Sequence, residues 1–544
     1  MTRAWLAAVL APALLLSPVL IADNLVHDSA APNMQSVNDV LNGQRFLLED
    51  DDITLLTVYP SGSGTTTDLV SFQTSNSRFG AEQTLTLSTG GGTFPDTGVQ
   101  GSAATGRMFN VNHDVVVAVA PGEAPAKWTV NILDPAGNQQ TRMPIGPSQF
   151  DPYGQIYSQV VMGDFTGNGL SDALLFYASV DPGQHIEWGM SVLTAGDVSQ
   201  VGSFAQGPQF YNYAAQNVPA PVTGSIVVAD FNGDGRDEIA ALLTDSQTIQ
   251  FYTVDPATLV ITPSVSLKLP QAVSPGTLAA GRFRNTPNDE LVAVGQIAGH
   301  VPANTIYSIQ TMQTGNNGNA EFSPVVAQID TVTGYGRGTQ VGGILAQAAP
   351  VIDWYQGNSE QLVIGLQYNT TPTGIVWIGS FDSNFQFYLD MATDVEGEKG
   401  CLLGMQVGNF DHQQPPDANG NTHNPGLQLA LFELQDSPSA CTPRNGDPTL
   451  KIVNINAPSA FNALNQGPPA NNWLQDSEVL IDSLKLPAKH QIMQVLALGA
   501  GDLEGRSLRL GAPEKAVVPE QIQPTSCLGY RRCTSTGLHR TQPY

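Results

Sequence analysis

The sequence predicts an all-β protein, a seven-bladed β-propeller of four-stranded antiparallel blades whose last blade is closed by N-terminal strands. Three observations predict it. A strand-loop-strand pattern, clearest as VVADFNGDGRDEIAALL at 227–243 and VVMGDFTGNGLSDALLFY at 160–177, recurs along the chain. Its copies lie about 66 residues apart on average, room for four short strands and their connections. The composition, with 54 Gly, 38 Pro and only 13% charged residues, suits short strands joined by turns more than helices.

The loop of each clear copy alternates oxygen-bearing side chains with other residues. Counting the first aspartate as position one, positions one, three, five and nine are Asp164, Thr166, Asn168 and Asp172 in one copy, and Asp230, Asn232, Asp234 and Glu238 in the other. A hard cation such as calcium takes six to eight oxygens, and a loop turning through Gly169 or Gly235 aims alternate side chains and a backbone carbonyl at one point. An EF-hand shares the first half of this spelling but needs a bidentate Glu at position twelve and helices on both sides. Position twelve is Leu175 in one copy and Ala241 in the other, and the flanks are short, apolar and strand-like.

Degenerate copies keep the strands and lose the oxygens. ATGRMFNVNHDVVVAVA puts Arg107 at position one, AAGRFRNTPNDELVAVG puts Arg282 there, and APVIDWYQGNSEQLVIG puts Asp353 there. MQVGNFD places Asn409 at position one ahead of an insertion, and LALGAGDLEGRSLRLGAP places Asp502 there. Each unit offers further strands, with KWTVNIL, EWGMSVLT, TIQFYTV, TIYSIQTM, GIVWIGSF and LKIVNI in third place. Repeating four-stranded units arranged radially leave only short, protected edges, which is the propeller solution. The last unit lacks third and fourth strands, and ITLLTVYP, TDLVSFQ and EQTLTLS near the N-terminus supply them.

The pattern G-[DN]-F-x-G-[DN]-G-x-x-[DE] between apolar strands resembles the FG-GAP repeat, also called the VCBS-type repeat, found in integrin α-chain propellers and in many exported microbial proteins. The resemblance covers about residues 50–513 and is specific in the Asp164 and Asp230 copies. It implies a seven-bladed propeller with calcium in some inter-strand loops, used in adhesion or ligand recognition. Carried over residue by residue, it implies calcium ligands at Asp164, Thr166, Asn168, Leu170 and Asp172, and at Asp230, Asn232, Asp234, Arg236 and Glu238, with Leu170 and Arg236 contributing backbone carbonyls. Arg107 and Arg282 put a cation where the ion's carboxylate belongs, so those loops are expected to be metal-free. The Asp353 loop has Gly357 at position five and Gln361 at position nine, too few charged oxygens for a site.

The remaining features bound the function. A net charge of −26 argues against nucleic acid, which needs clustered Lys and Arg. Arg3 followed by an apolar run to Ala22 reads as a signal peptide over 1–22, with an uncleaved anchor as the alternative; Pro12 and Pro18 count against the anchor. Residues 23–98 then form an N-terminal segment that supplies closing strands, 99–513 the propeller, and 514–544 an irregular tail. The tail is basic and cysteine-containing from Thr525, and this break in composition raises the reading that it lies out of the native frame. Cys401 and Cys441 flank two strands and form a disulfide candidate, and Asn369-Thr370-Thr371 is a glycosylation sequon.

The insertion DHQQPPDANGNTHNPG carries Asp411, His412, Asp417 and His423 but matches no zinc spacing and reads as a solvated loop, as does the acidic run at 49–52. No G-x-S-x-G elbow, H-E-x-x-H or phosphate-binding glycine loop is present. The expectation is therefore a secreted, monomeric, calcium-binding recognition or adhesion module for an extracellular protein or glycan, with no membrane span after signal removal. A lectin-like propeller or a polysaccharide lyase is the alternative. For it, Trp188, Trp354, Trp377 and Trp473 are candidate sugar-stacking rings, although an aromatic in a third strand, such as Trp128 or Trp377, suits a blade core.

Overall fold

Short apolar runs bounded by Gly, Pro, Asn and Asp fold as strands, buried on both faces where they are inner, as Glu238–Leu243 is, and largely exposed where they are outer, as Ile261–Lys268 is; every regular element among the described residues is a β-strand. The computed structural model describes residues 52–501 except for certain connecting segments, 350–359, 411–427, 436–446 and 456–477 among them. The signal segment, the tail, the position-one residues Asp353, Asn409 and Asp502, the histidine-bearing insertion, the sequon, Trp354, Trp473 and Cys441 lie outside the described residues.

The strands hydrogen-bond into six four-stranded antiparallel sheets and one six-stranded sheet. Consecutive strands pair in chain order within 102–145, 221–268, 273–333, 341–395 and 401–485. The sixth four-stranded sheet joins the two ends of the chain. Asp52–Ser61 runs antiparallel to Gln494–Gly501, with Leu55 opposite Leu498, and Gly64–Ser75 and Arg78–Gly90 complete the sheet outward.

The inner strands lie against one another in succession. Ser102–Gly106 meets Gln155–Gly163, which meets Pro221–Ala229, then Val273–Gly281, Val341–Ala349, Cys401–Gly408 and Gln494–Gly501, and the last returns to Ser102–Gly106. The molecule is a β-propeller of small antiparallel sheets.

The expectation of seven four-stranded blades is corrected: six sheets have four strands, and the sheet on Gln155–Gly163 departs from that plan. Its outer strand is divided into Phe204–Gln206 and Phe210–Tyr213, both paired with Ile186–Ala195. The chain passes through Gly207 and Pro208 between them, and proline lacks the N–H that a continuous ladder needs. The two-residue strand Val99–Gln100 adds parallel along the inner edge of Gln155–Gly163.

Residues at loop position two anchor the loops between sheets. Phe165, Phe231, Phe283 and Phe410 are all fully buried. Phe283 packs edge-on against Phe381, 5.0 Å between ring centroids, and Phe231 against Phe251 at 5.6 Å. Burying such a ring contributes about 1.5–3 kcal/mol, so each loop is pinned from beneath by its second residue. Trp188 and Trp377 are also core residues, at 2% and 1% exposure, and are unavailable to stack on a sugar.

Candidate metal centre

The loops between first and second strands follow one another along one rim of the ring, and neighbouring loops are bonded together. The backbone of the residue at position one pairs with the residue at position eight of the following blade. Asp164 N donates to Asp237 Oδ2 at 2.8 Å and Asp237 N donates to Asp164 O at 3.0 Å. Asp230 pairs in the same way with Asp289, at 3.3 and 3.0 Å, and Arg282 with Glu360, at 2.7 and 2.8 Å. Ser171 N donates to Arg107 O at 2.9 Å.

The residue before position one must leave room for this clasp. A Cβ on Gly163 would stand 2.8 Å from Asp237 Oδ2, and one on Gly281 would run into Glu360 Oε2. Where Ala229 takes that place, the corresponding carboxylate bond is the longest of the three. The glycine of the repeat thus serves the joint between blades.

Within the two acidic loops the position-one carboxylate gathers the turn's amides. Asp164 Oδ1 accepts from Gly167 N at 2.6 Å and Asn168 N at 3.0 Å, and Oδ2 accepts from Gly169 N at 2.7 Å. Asp230 repeats this with Gly233 N at 2.6 Å, Asp234 N at 3.0 Å and Gly235 N at 2.9 Å. Positions four and six are left-handed in both loops, φ 72° and 79° in the first and 76° and 85° in the second, which glycine adopts without strain.

Position nine opens the second strand and faces back into the loop. Asp172 Oδ2 accepts from Thr166 N at 3.1 Å. Glu238 Oε2 accepts from Asn232 N at 3.2 Å, and its Oε1 accepts from Asn232 Nδ2. Both carboxylates are buried, at 1% and 6% exposure. Burial, reinforced by the Asp164 charge, pushes the Asp172 carboxyl up to about 7. Burial, with the charges of Asp230, Asp234 and Asp237, pushes Glu238 up to about 9. Burial likewise raises Asp164, against the pull of its amide bonds, and carries Asp230 up to about 6.

The structure brings position one, three and nine together in each loop and turns position five outward. Asn168 Oδ1 accepts from Leu170 N, while Asp234 is exposed and pairs with Arg236 Nη2 at 2.6 Å. Among the described residues, no three His, Cys, Asp or Glu side chains converge as they stand. Of the candidate ligands, Asn168 and Asp234 would have to rotate inward, and Asp234 would have to leave its exposed ion pair, which is worth little in water.

Position nine also explains the other blades. The register aligns Val115, Asp172, Glu238, Glu290, Gln361 and Gln428 at the start of the second strand. Three of the six are carboxylates. Glu290, 1% exposed, has a guanidinium beside it: Arg284, at position three, donates from Nε to Glu290 Oε1 at 2.9 Å and ion-pairs through Nη2. Arg284 also lies over the Phe385 ring, 4.2 Å from its centroid. Arg282 Nε bonds Asp289 in the clasp, and Arg284 neutralises the loop. Among the described residues, no arginine or lysine ion-pairs with Asp172 or Glu238.

The clasp residues Asp237, Asp289 and Glu360 were not singled out by motif reasoning. Of the three, Asp289 alone stands eight places after a glycine, Gly281; Asp237 follows Ala229 and Glu360 follows Ile352 at the same distance, so their shared sequence signal is an acidic residue one place before position nine.

No protein-family model matches the chain, and no curated protein matches it in sequence. The FG-GAP resemblance is thus carried by the motif residues alone. Among solved structures, a protein from Lactobacillus plantarum is similar at 10% identity, covering 83% of this chain and 99% of that one, with a TM-score of 0.42. The periplasmic gluconolactonase of Pseudomonas aeruginosa is similar at 12% identity over 83% and 99%, TM-score 0.42. A candidate 6-phosphogluconolactonase from Bacteroides uniformis is similar at 12% over 83% and 100%, TM-score 0.39.

The pairing of Arg284 with Glu290 makes a direct prediction. Arg284→Met leaves a buried, uncompensated carboxylate and is expected to cost about 3–5 kcal/mol, whereas adding Glu290→Gln restores most of it. Denaturant unfolding of the two variants measures this, and equal stability of single and double variants would contradict it.

Proposed function

We propose that the chain is an exported, calcium-stabilised propeller that serves as a recognition or adhesion module. The observation that carries the calcium reading is the contrast at position nine: Glu290 has the Arg284 guanidinium bonded to it, while Asp172 and Glu238 are also buried and no arginine or lysine among the described residues is bonded to them, Arg236 being bonded to Asp234 instead. A buried ionised carboxylate is costly unless paired. The donors are all hard oxygens, carboxylate, amide carbonyl and hydroxyl, from Asp164, Thr166, Asn168 and Asp172 in one loop and Asp230, Asn232, Asp234 and Glu238 in the other. That set suits calcium and not a soft transition metal.

Calcium bound there would supply the positive charge against which the carboxylates of each loop ionise, two in the Asp164 loop and three in the Asp230 loop. The protein's own part is to hold those oxygens in place. Amides of the glycine turn orient Asp164 and Asp230, the strand register brings Asp172 and Glu238 back to position three, and Phe165 and Phe231 pin the loops to the core. The result is a rim stiffened over two blades. Rigid loops on a rigid ring present a surface with little ordering cost on binding. The resemblance to FG-GAP repeats and the signal-like N-terminus support an extracellular protein or glycan as the ligand. Among the described residues no helix is long and apolar enough to cross a membrane.

The pH dependence follows from the raised carboxyls. Without a cation, stability present at acidic pH, below the unfolded carboxyl values of about 4, is lost as pH rises through about 7 for Asp172 and about 9 for Glu238. Thermal melts in chelator should therefore fall between about pH 5 and pH 9, and millimolar calcium should remove most of that fall. Superimposable melting curves with and without calcium would sink the calcium reading. For recognition, a glycan array and an extracellular-matrix protein panel should show retention in calcium that is lost in chelator, without turnover. The appearance of unsaturated-sugar absorbance on incubation with polysaccharide would favour the lyase alternative.

A further inference from the structure

Each loop rests on the one before it at two places. The clasp from position eight to position one is the first. The second joins position seven to the glycine at position four. The Arg236 stem lies so close over Gly167 that a Cβ there would meet Arg236 Cγ at 2.9 Å, and Asn288, at position seven of the next loop, lies 3.5 Å from where a Cβ on Gly233 would stand. Asn288 Nδ2 also donates to Phe231 O at 3.0 Å, across the same joint.

Arg236 and Asp237 sit between the position-five and position-nine oxygens of the Asp230 loop. Whatever orders that loop orders these two residues. They are also the residues that hold Gly167 and the backbone of Asp164 in the neighbouring loop. Resting on the calcium reading above, we propose that the Asp164 and Asp230 loops bind their cations cooperatively, coupled through Arg236 and Asp237. Neither site lends an oxygen to the other. The coupling arises because a filled Asp230 loop has already ordered the contacts that the Asp164 loop needs, so the second ion meets a smaller ordering cost.

The third loop gives the coupling a direction of filling. Arg284 neutralises Glu290 permanently, and Asp289 beside it clasps Asp230. The Asp230 loop is therefore seated by a neighbour that needs no external ion, whereas the Asp164 loop is seated by one that does. The Asp230 site fills first and tighter.

Calcium titration calorimetry on the full chain tests this. Glu238→Gln disables the Asp230 site, and the remaining site is expected to bind at least about fivefold more weakly. Asp172→Asn disables the other site and, because coupling is reciprocal, should weaken the Asp230 site by the same factor. Asp237→Ala keeps both sets of oxygens and removes one of the two contacts, so it should reduce the coupling, with the Arg236 contact over Gly167 left in place. An unchanged dissociation constant for the remaining site in both Glu238→Gln and Asp172→Asn would overturn the coupling while leaving the calcium reading standing. Absence of calcium uptake by the unaltered chain would overturn both.

Discussion

The propeller depends on how one blade grips the next, and at three successive joints among the described residues the grip is a pair of hydrogen bonds at the first residue of the inter-strand loop. A ring of sheets buries apolar surface between neighbours, but that attraction is non-directional and does not set the angle at which they meet. The reciprocal bonds from Asp237 to Asp164, Asp289 to Asp230 and Glu360 to Arg282 do set it. Each uses a backbone N–H and C=O that a loop turning away from its ladder would otherwise leave unmet. Hydrogen bonds to a charged acceptor contribute about 1.5–3 kcal/mol each, and the same joint repeats along the rim.

The chemistry of the rim follows from placing carboxylates beside that joint. A carboxylate at position nine sits at the start of a buried strand, where its charge is poorly hydrated. The chain meets this in three ways: Val115 removes the charge, Gln361 and Gln428 replace it with an amide, and Arg284 neutralises Glu290 from within. Asp172 and Glu238 keep a buried carboxyl with no arginine or lysine bonded to it among the described residues, which holds both carboxyls well above their ordinary range, and these loops also carry alternating oxygens. The difference between a loop whose buried carboxylate is neutralised from within and the two loops for which calcium is proposed thus comes down to position three, arginine in one and threonine or asparagine in the others.

Much of this was legible in the sequence. The strand-loop-strand copies mark the inner hairpin of every unit but the last, where Gln494–Gly501 pairs with Asp52–Ser61, because apolar runs on both sides of a glycine turn leave few alternatives to paired strands. The segments expected as third strands hold third place in their sheets, and the N-terminal strands pair with the last one, Leu55 opposite Leu498, but they fill second, third and fourth place there, not only third and fourth. The departure at Phe204–Gln206 and Phe210–Tyr213 was less visible, since Gly207 and Pro208 could equally have marked a turn between sheets. Arg284 escaped notice because the motif was aligned on position one, where Arg282 drew attention, although side-chain reach from position three decides which arginine meets Glu290. The clasp escaped because it joins residues some 60 to 80 apart in sequence, and its acidic partner is one place short of the position the motif highlights.

Fold and electrostatics meet in the proposal that calcium takes, in two blades of this ring, the place that Arg284 fills beside Glu290. Native mass spectrometry of the chain, freed of metal and then returned to calcium, counts the ions directly. The account predicts two bound calcium ions per chain, falling to one in Asp172→Asn or Glu238→Gln alone. A stoichiometry of zero, or one that neither substitution changes, would contradict it.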